Sequence, residues 1–362
     1  MDVDARFHMK GGTLFSIQYL RALAAMLVVY HHAREQFPGF QQALPSSIGT
    51  AGVDLFFVIS GFIMVTITDM QPIGPGEFVI RRIVRIVPVY WFYTTITAVA
   101  ILIVPMFFRD SRFTVSHYVL SLLFVPHLNP GDMSVSPLLK LGWTLNYEMF
   151  FYCLFSATLF LVNRSRILIL TLAFIGLVLV GWIFEPQRPP LVVYTDPIIL
   201  EFALGTLIGY AFVTGRLRRI GSLTSWTLIV VALVAAPLLS VFDGRVQRII
   251  IYGIPACLMV LGSVALELNC SLPKHRLLRL VGDSSYSIYL AHLYPVVFLR
   301  FFWPRLGLGI QGLAWTAGYV LVAMVSAIVI GILSYSLLER PLNRRGHRLL
   351  TRWLSDRYAP AL

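Results

Sequence analysis

Ten apolar runs, each close to the length that crosses a bilayer, constrain this chain more than any other feature. They fall at about residues 14–33, 49–69, 83–106, 142–162, 166–185, 197–214, 225–242, 247–267, 285–304 and 312–338. A helix of about 20 apolar residues spans the hydrocarbon core. Inside that core the backbone must satisfy its own hydrogen bonds, so such runs are helices. The expectation is an all-α, polytopic integral membrane protein with about ten transmembrane helices. Composition agrees, since 57% of the 362 residues are hydrophobic and 13% charged. A further stretch, about 115–127, is short and holds His117, Pro126 and His127, so it reads as re-entrant or interfacial. The first run lacks a small-residue cleavage site and is expected to remain as a helix.

Charge sets the orientation, because cytoplasmic loops collect Lys and Arg. With the N-terminus inside and ten spans, inside segments carry 19 of the 29 Lys and Arg, outside segments carry 9, and Arg21 lies within a span. Counting 115–127 as a span would place the basic C-terminal end outside. Both termini are therefore expected in the cytoplasm. The net charge of +12 is then mostly topology, and nucleic-acid binding is not expected. The expected organisation is a cytoplasmic N-terminal tail (1–13), a transmembrane domain (14–341) and a basic cytoplasmic C-terminal tail (342–362). The longest external loop is about 107–141. Cys153, Cys257 and Cys270 are far apart and show no metal or CxxC spacing, so neither a disulfide framework nor a metal site is expected.

Ionisable groups inside spans are costly and point to function. Arg21, Asp54, Glu148, Glu201 and His292 qualify, with His31 and His32 at a span end. Arg21 and His32 are eleven residues apart. At about 100° per residue this puts them on one helix face, roughly 16 Å apart along the axis. His31 lies about 80° off that line. The structural alternative is a snorkelling arginine and interfacial histidines.

Other segments add candidates. In "RRIVRIVPVYW" (81–91), Arg82 and Arg85 share a face at the cytoplasmic end of the third span. Arginine suits phosphate through its planar, two-pronged donor fork. Thr144 and Glu148 share a face at i,i+4 spacing, and Glu148 is expected at a depth similar to His32, where a carboxylate would orient the imidazole. Asp54 lies near the outer end of span two, above Ser60 and Gly61, whose small side chains permit close packing. His292 falls near mid-membrane. Asn146, Asp54, His292 and His31 are the lesser candidates for substrate contacts.

Together these segments resemble the membrane-bound acyltransferase 3 family, in particular its short members that acetylate bacterial exopolysaccharide. The family's Arg-x10-His signature maps onto Arg21 and His32, and its Arg-x-x-Arg signature onto Arg82 and Arg85. "GVDLFFVISGF" (52–62), "WTLNYEMFFY" (143–152), "SYSIYLAH" (285–292) and "ERP" (339–341) match its other blocks in order. One departure is the second histidine, His31, before His32. The resemblance implies an acyl-CoA donor, usually acetyl-CoA, on the cytoplasmic side. It also implies a polysaccharide or lipid-linked glycan acceptor outside, in the bacterial inner membrane. The roles expected are His32 as general base or acyl carrier, Glu148 as its partner, and Arg21, Arg82 and Arg85 as ligands of the CoA phosphates. A transporter or flippase for a lipid-linked sugar is the competing reading, since it too places charges in several spans.

Overall fold

In the computed structural model the described residues are 14–43, 49–104, 112–242 and 247–358, with no side-chain description at 240 and 353–358. The expected tail at 1–13 lies outside them. Among the described residues the regular secondary structure is all helical, apart from one isolated bridge between Leu128 and Val135. The order begins α1 (Phe15–Arg34), α2 (Pro38–Ala43), α3 (Ala51–Met70), α4 (Pro75–Ile103), α5 (Val115–Leu122) and α6 (Trp143–Ala157). It continues with α7 (Asn163–Phe184), α8 (Pro189–Tyr194), α9 (Leu200–Val213), α10 (Ser222–Leu239) and α11 (Ile254–Asn269). The last are α12 (Arg276–Asp283), α13 (Ser285–Ala291), α14 (Leu293–Phe302), α15 (Leu313–Ser334) and α16 (Arg340–Tyr358).

Among the described residues each of the ten apolar runs is mostly helical, and six helices are long and apolar enough to cross a bilayer. These are α3, α4, α7, α10, α11 with the turn before it, and α15 with its continuation. The others are shorter, broken or more polar. α6 has 15 residues and α9 has 14. The ninth run breaks at His292 into α13 and α14. α1 is 20 residues long but holds Arg21, His31, His32 and Arg34. The basic segment after residue 341 is helical, because α15 runs through a π turn (Tyr335–Glu339) into α16. The 115–127 stretch holds only the short α5, tied to α4 by Tyr90 Oη donating to the Ser121 carbonyl at 3.1 Å and Trp91 Nε1 to Leu122 at 2.9 Å.

α3 is the centre of the bundle. Most of its apolar window, 78%, is buried, against 22% for α7 and 11% for α10, which face outward. Hydrocarbon solvates leucine as well as protein does, so close packing has to replace the hydrophobic drive between helices. The α3–α9 crossing does this with glycine. A Cβ on Gly205 would sit 2.1 Å from the Val58 carbonyl oxygen, and one on Gly61 would sit 2.2 Å from that of Phe202. α1 is fixed in the same way. A Cβ on Gly282 would meet the Gln18 carbonyl at 2.1 Å, and one on Gly52 would meet that of Ala24 at 2.5 Å. Its N-terminus is capped across the bundle by Glu267, which accepts from Phe15 N (2.7 Å), Ser16 N (2.8 Å) and Ser16 Oγ (2.5 Å).

The segment from α5 to α6 carries a hydrogen-bonded histidine pair. His127 Nδ1–H donates to the Val125 carbonyl (2.6 Å), which leaves its Nε2 to accept from His117 Nδ1–H (2.6 Å). Burial holds the His117 imidazole down at about 4, His127 adds repulsion, and Asp132 opposes both.

Gly205→Val is expected to lower the detergent melting temperature by several degrees, because overpacking costs about 1–3 kcal/mol. Gly176→Ala, whose Cβ meets nothing within 4 Å, should leave it unchanged. In the loop, an opened His117 takes up a proton near its ordinary value of 6.5, whereas the closed one resists until about 4. Closed-loop stability is therefore complete above 6.5 and falls as pH drops through this window. Amide exchange over 115–138 should accelerate on acidification, and His117→Asn should weaken that dependence.

Candidate active site

Two clusters of polar side chains meet in the bundle, at opposite ends of the Arg21–His32 stripe. At one end the His32 ring meets His292 across the α1–α13 contact, with Nδ1 of His32 3.2 Å from Nε2 of His292. The surrounding carbonyls assign the protons. His292 Nδ1 is 2.7 Å from the Tyr289 carbonyl, which can only accept, so Nδ1 carries the hydrogen and Nε2 a lone pair. His32 Nδ1 is 2.9 Å from the Val28 carbonyl, so it too carries a hydrogen, shared with His292. His32 Nε2 is thereby the basic nitrogen, and it has no partner among the described residues. The ring is half-buried, while His292 is fully buried.

At the other end, Arg21, Arg82 and Arg85 line one open cavity. Arg21 Nε donates to Ser285 Oγ at 3.2 Å. Arg82 is buried, its guanidinium 5.7 Å from the Phe78 ring and 6.0 Å from that of Tyr152. Arg81, their neighbour, instead donates to Glu77 one turn back. The i,i+3 spacing thus selects the two arginines that face the cavity. Arg21 beside Ser285 and His32 beside His292 also show that α1 and α13 run parallel, so the stripe seen on one helix is matched on another. The cavity wall reaches Tyr289, whose ring centroid is 6.1 Å from that of His292.

Comparison with known proteins now decides the family. Residues 14–335 match the acyltransferase domain of the acyltransferase 3 family. The chain belongs to that family. Over 323 residues it is 37% identical to the exopolysaccharide production protein ExoZ of Rhizobium meliloti (strain 1021), covering 86% of this chain and 96% of that one. It is 27% identical to the putative peptidoglycan O-acetyltransferase YrhL of Bacillus subtilis (strain 168), and 26% identical to the peptidoglycan O-acetyltransferase OatA of Listeria monocytogenes. The alignments cover 92% and 91% of this chain, but only 55% and 56% of those longer proteins. No solved structure matches it. The protein is a multi-pass membrane enzyme of the O-acetyltransferase class.

Within this acyltransferase the other candidates are distributed differently from the sequence expectation. Glu148 does not reach the His32 ring. Its Oε1 accepts from Tyr152 Oη at 2.5 Å and Ser60 Oγ at 3.2 Å, and it lines the arginine cavity. The reason is that α6 brings Glu148 against Ser60 of α3, whereas His32, in the C-terminal half of α1, faces His292 between α13 and α14. Asp54 is fully buried and held bidentate by Arg248, at 2.6 Å to Nη2 and 3.1 Å to Nε, rather than open to a substrate. Glu201 is fully buried against the turn before α11, where a Cβ on Gly253 would sit 2.9 Å from its Oε1. Asn146 is buried, and its Oδ1 has no partner among the described residues. His31 faces Glu35, 3.5 Å away at i,i+4.

Sequence reasoning missed Ser60 as a ligand of Glu148, Tyr152, Ser285 and Tyr289. Tyr152 carried a signal, since it stands at i,i+4 from Glu148.

Removing one partner of a buried ion pair strands the other, at a cost of about 3–5 kcal/mol. Arg248→Ala should therefore lower the melting temperature sharply, and Asp54→Asn in that background should recover part of the loss.

Proposed function

We propose that the enzyme moves an acyl group, acetyl above all, from cytoplasmic acyl-CoA to a hydroxyl of an exopolysaccharide or lipid-linked glycan on the far side of the bacterial inner membrane. The ten helical runs would then be ten spans with both termini in the cytoplasm, following the Lys and Arg asymmetry. The observation that carries this reading is the unprotonated Nε2 of His32, fixed by the Val28 carbonyl and His292, on the same helix as a cavity-lining arginine. The cavity suits a CoA donor: guanidinium groups for phosphates at one end, and apolar walls for a thin arm.

In this mechanism His32 Nε2 takes the proton of the sugar hydroxyl as its oxygen attacks the thioester carbon. The C–S bond breaks, and the imidazolium returns the proton to the departing thiolate, giving an ester and CoA thiol. Transfer through an acyl-histidine is the variant route. His292 is a positioning residue, because it accepts from His32 Nδ1 and so keeps Nε2 basic. Asn146 is assigned to the acceptor. The relatives support the acceptor class, since one is named for exopolysaccharide production and two for peptidoglycan O-acetylation. A flippase would require none of the donor-binding groups in the cavity.

His32→Ala should reduce acetate transfer to surface polysaccharide by about 10²–10⁴-fold at equal protein level. His292→Ala should cost about 10–100-fold, the value of one buried hydrogen bond. His31→Ala should be mild. Normal acetylation by His32→Ala, read by mass spectrometry of surface glycans, would remove the mechanism.

A further inference from the structure

The polar cluster deep in the arginine cavity has no part in the histidine chemistry above. Two hydroxyl donors, Tyr152 Oη at 2.5 Å and Ser60 Oγ at 3.2 Å, converge on Oε1 of Glu148. The two hydroxyls are 3.4 Å apart, so α3 and α6 hold the carboxylate from both sides. Its other oxygen, Oε2, has no partner among the described residues. Glu148 is half-buried in the cavity wall, which Ile59, Ile63 and Met64 also line. A carboxylate in such a setting is expensive unless each oxygen finds a donor.

A ligand in this cavity therefore has to bring an N–H or O–H to the depth of Glu148. The phosphates of CoA carry no such hydrogen and are matched by Arg21, Arg82 and Arg85. The thioester carries none either. The pantetheine arm between them carries two amide N–H groups and, on its phosphate side, one hydroxyl. A sugar hydroxyl is the other source of a donor, but it approaches His32, and that ring meets His292 rather than Glu148. Tyr152 packs beneath the Arg82 guanidinium at 6.0 Å, which puts Glu148 one helical turn from the phosphate-binding end.

We propose that Glu148 Oε2 accepts a hydrogen bond from the pantetheine arm, from an amide N–H or the hydroxyl, with Ser60 and Tyr152 holding the carboxylate in place. Glu148 is then a donor-arm ligand that sets how far the thioester reaches, instead of the partner of the histidine base. It also selects the donor's chemistry. Three guanidinium groups alone would admit any anion with an apolar tail, such as a fatty acid. A carboxylate in the wall repels an anionic group at its depth and accepts from a neutral N–H or O–H. The inference rests on the acyl-CoA reading above.

The test compares the purified wild type and Glu148→Gln, each with acetyl-CoA and with adenosine 3′,5′-bisphosphate, which retains phosphates but lacks the arm. Glutamine keeps the shape and loses the charge. Wild type should bind both compounds. Glu148→Gln should bind acetyl-CoA about tenfold more weakly, the scale of one charge-assisted hydrogen bond, and bind the bisphosphate as wild type does, which also verifies its fold. KM for acetyl-CoA should rise by a similar factor, with kcat and its pH profile retained. Equal acetyl-CoA affinity in the two proteins would overturn the inference and leave the acyl-CoA reading standing. So would a kcat loss above a hundredfold with KM unchanged and a shifted pH profile, which would return Glu148 to the histidine base. A wild type that binds neither compound removes both the reading and the inference.

Discussion

The placement of α1 is the constraint on which the site depends, and backbone contacts impose it. Gly282 and Gly52 press against the carbonyls of Gln18 and Ala24, at distances that leave no room for a methyl group. Glu267 closes the N-terminus by accepting three hydrogen bonds. A helix held this way has little freedom to slide or rotate. Its register brings Arg21 to Ser285 and His32 to His292, so one rigid element spaces the cation from the imidazole. In a bilayer such precision comes from small residues, because apolar side chains gain nothing by leaving lipid.

The polar groups of the bundle divide by whether their partners exhaust them. Asp54 is matched by Arg248 on both carboxylate oxygens. Arg166 donates to Thr158, Leu159 and Leu161 carbonyls at the end of α6 and to Thr68, a helix cap rather than a loop anchor. Such groups stabilise the fold. His32 Nε2 and Glu148 Oε2 are different, since their neighbours fix the side chain and leave one atom open. The separation matters chemically. In the proposed mechanism the donor's charged end and the base sit at the two ends of one stripe, with the Tyr289 ring between cavity and histidine pair.

Much of this was legible in the sequence, for specific reasons. Helical runs follow from apolar length. The facing of Arg21 with His32, and of Arg82 with Arg85, follows from the 3.6-residue period. The same period separates His32 from His31, and Arg82 from Arg81, and the structure sends His31 to Glu35 and Arg81 to Glu77. Family membership was legible because several short blocks occur in order. Glu148 was misplaced because depth was inferred from span ends, and depth says nothing about which neighbour lies alongside.

The sequence by itself determined an all-helical membrane chain, the residues of the stripe, and the family to which they belong. Those properties are local: length, period and motif order need no knowledge of neighbours. The tertiary structure alone decided that His292 sets the His32 tautomer, that Glu148 joins Ser60 and Tyr152, and that Asp54 is spent on Arg248. Apart from Glu148 with Tyr152, which share α6, these pairs join separate segments, 88, 194 and 260 positions apart. Which helices touch is settled by glycine crossings and caps between segments, and no periodicity within one segment encodes it.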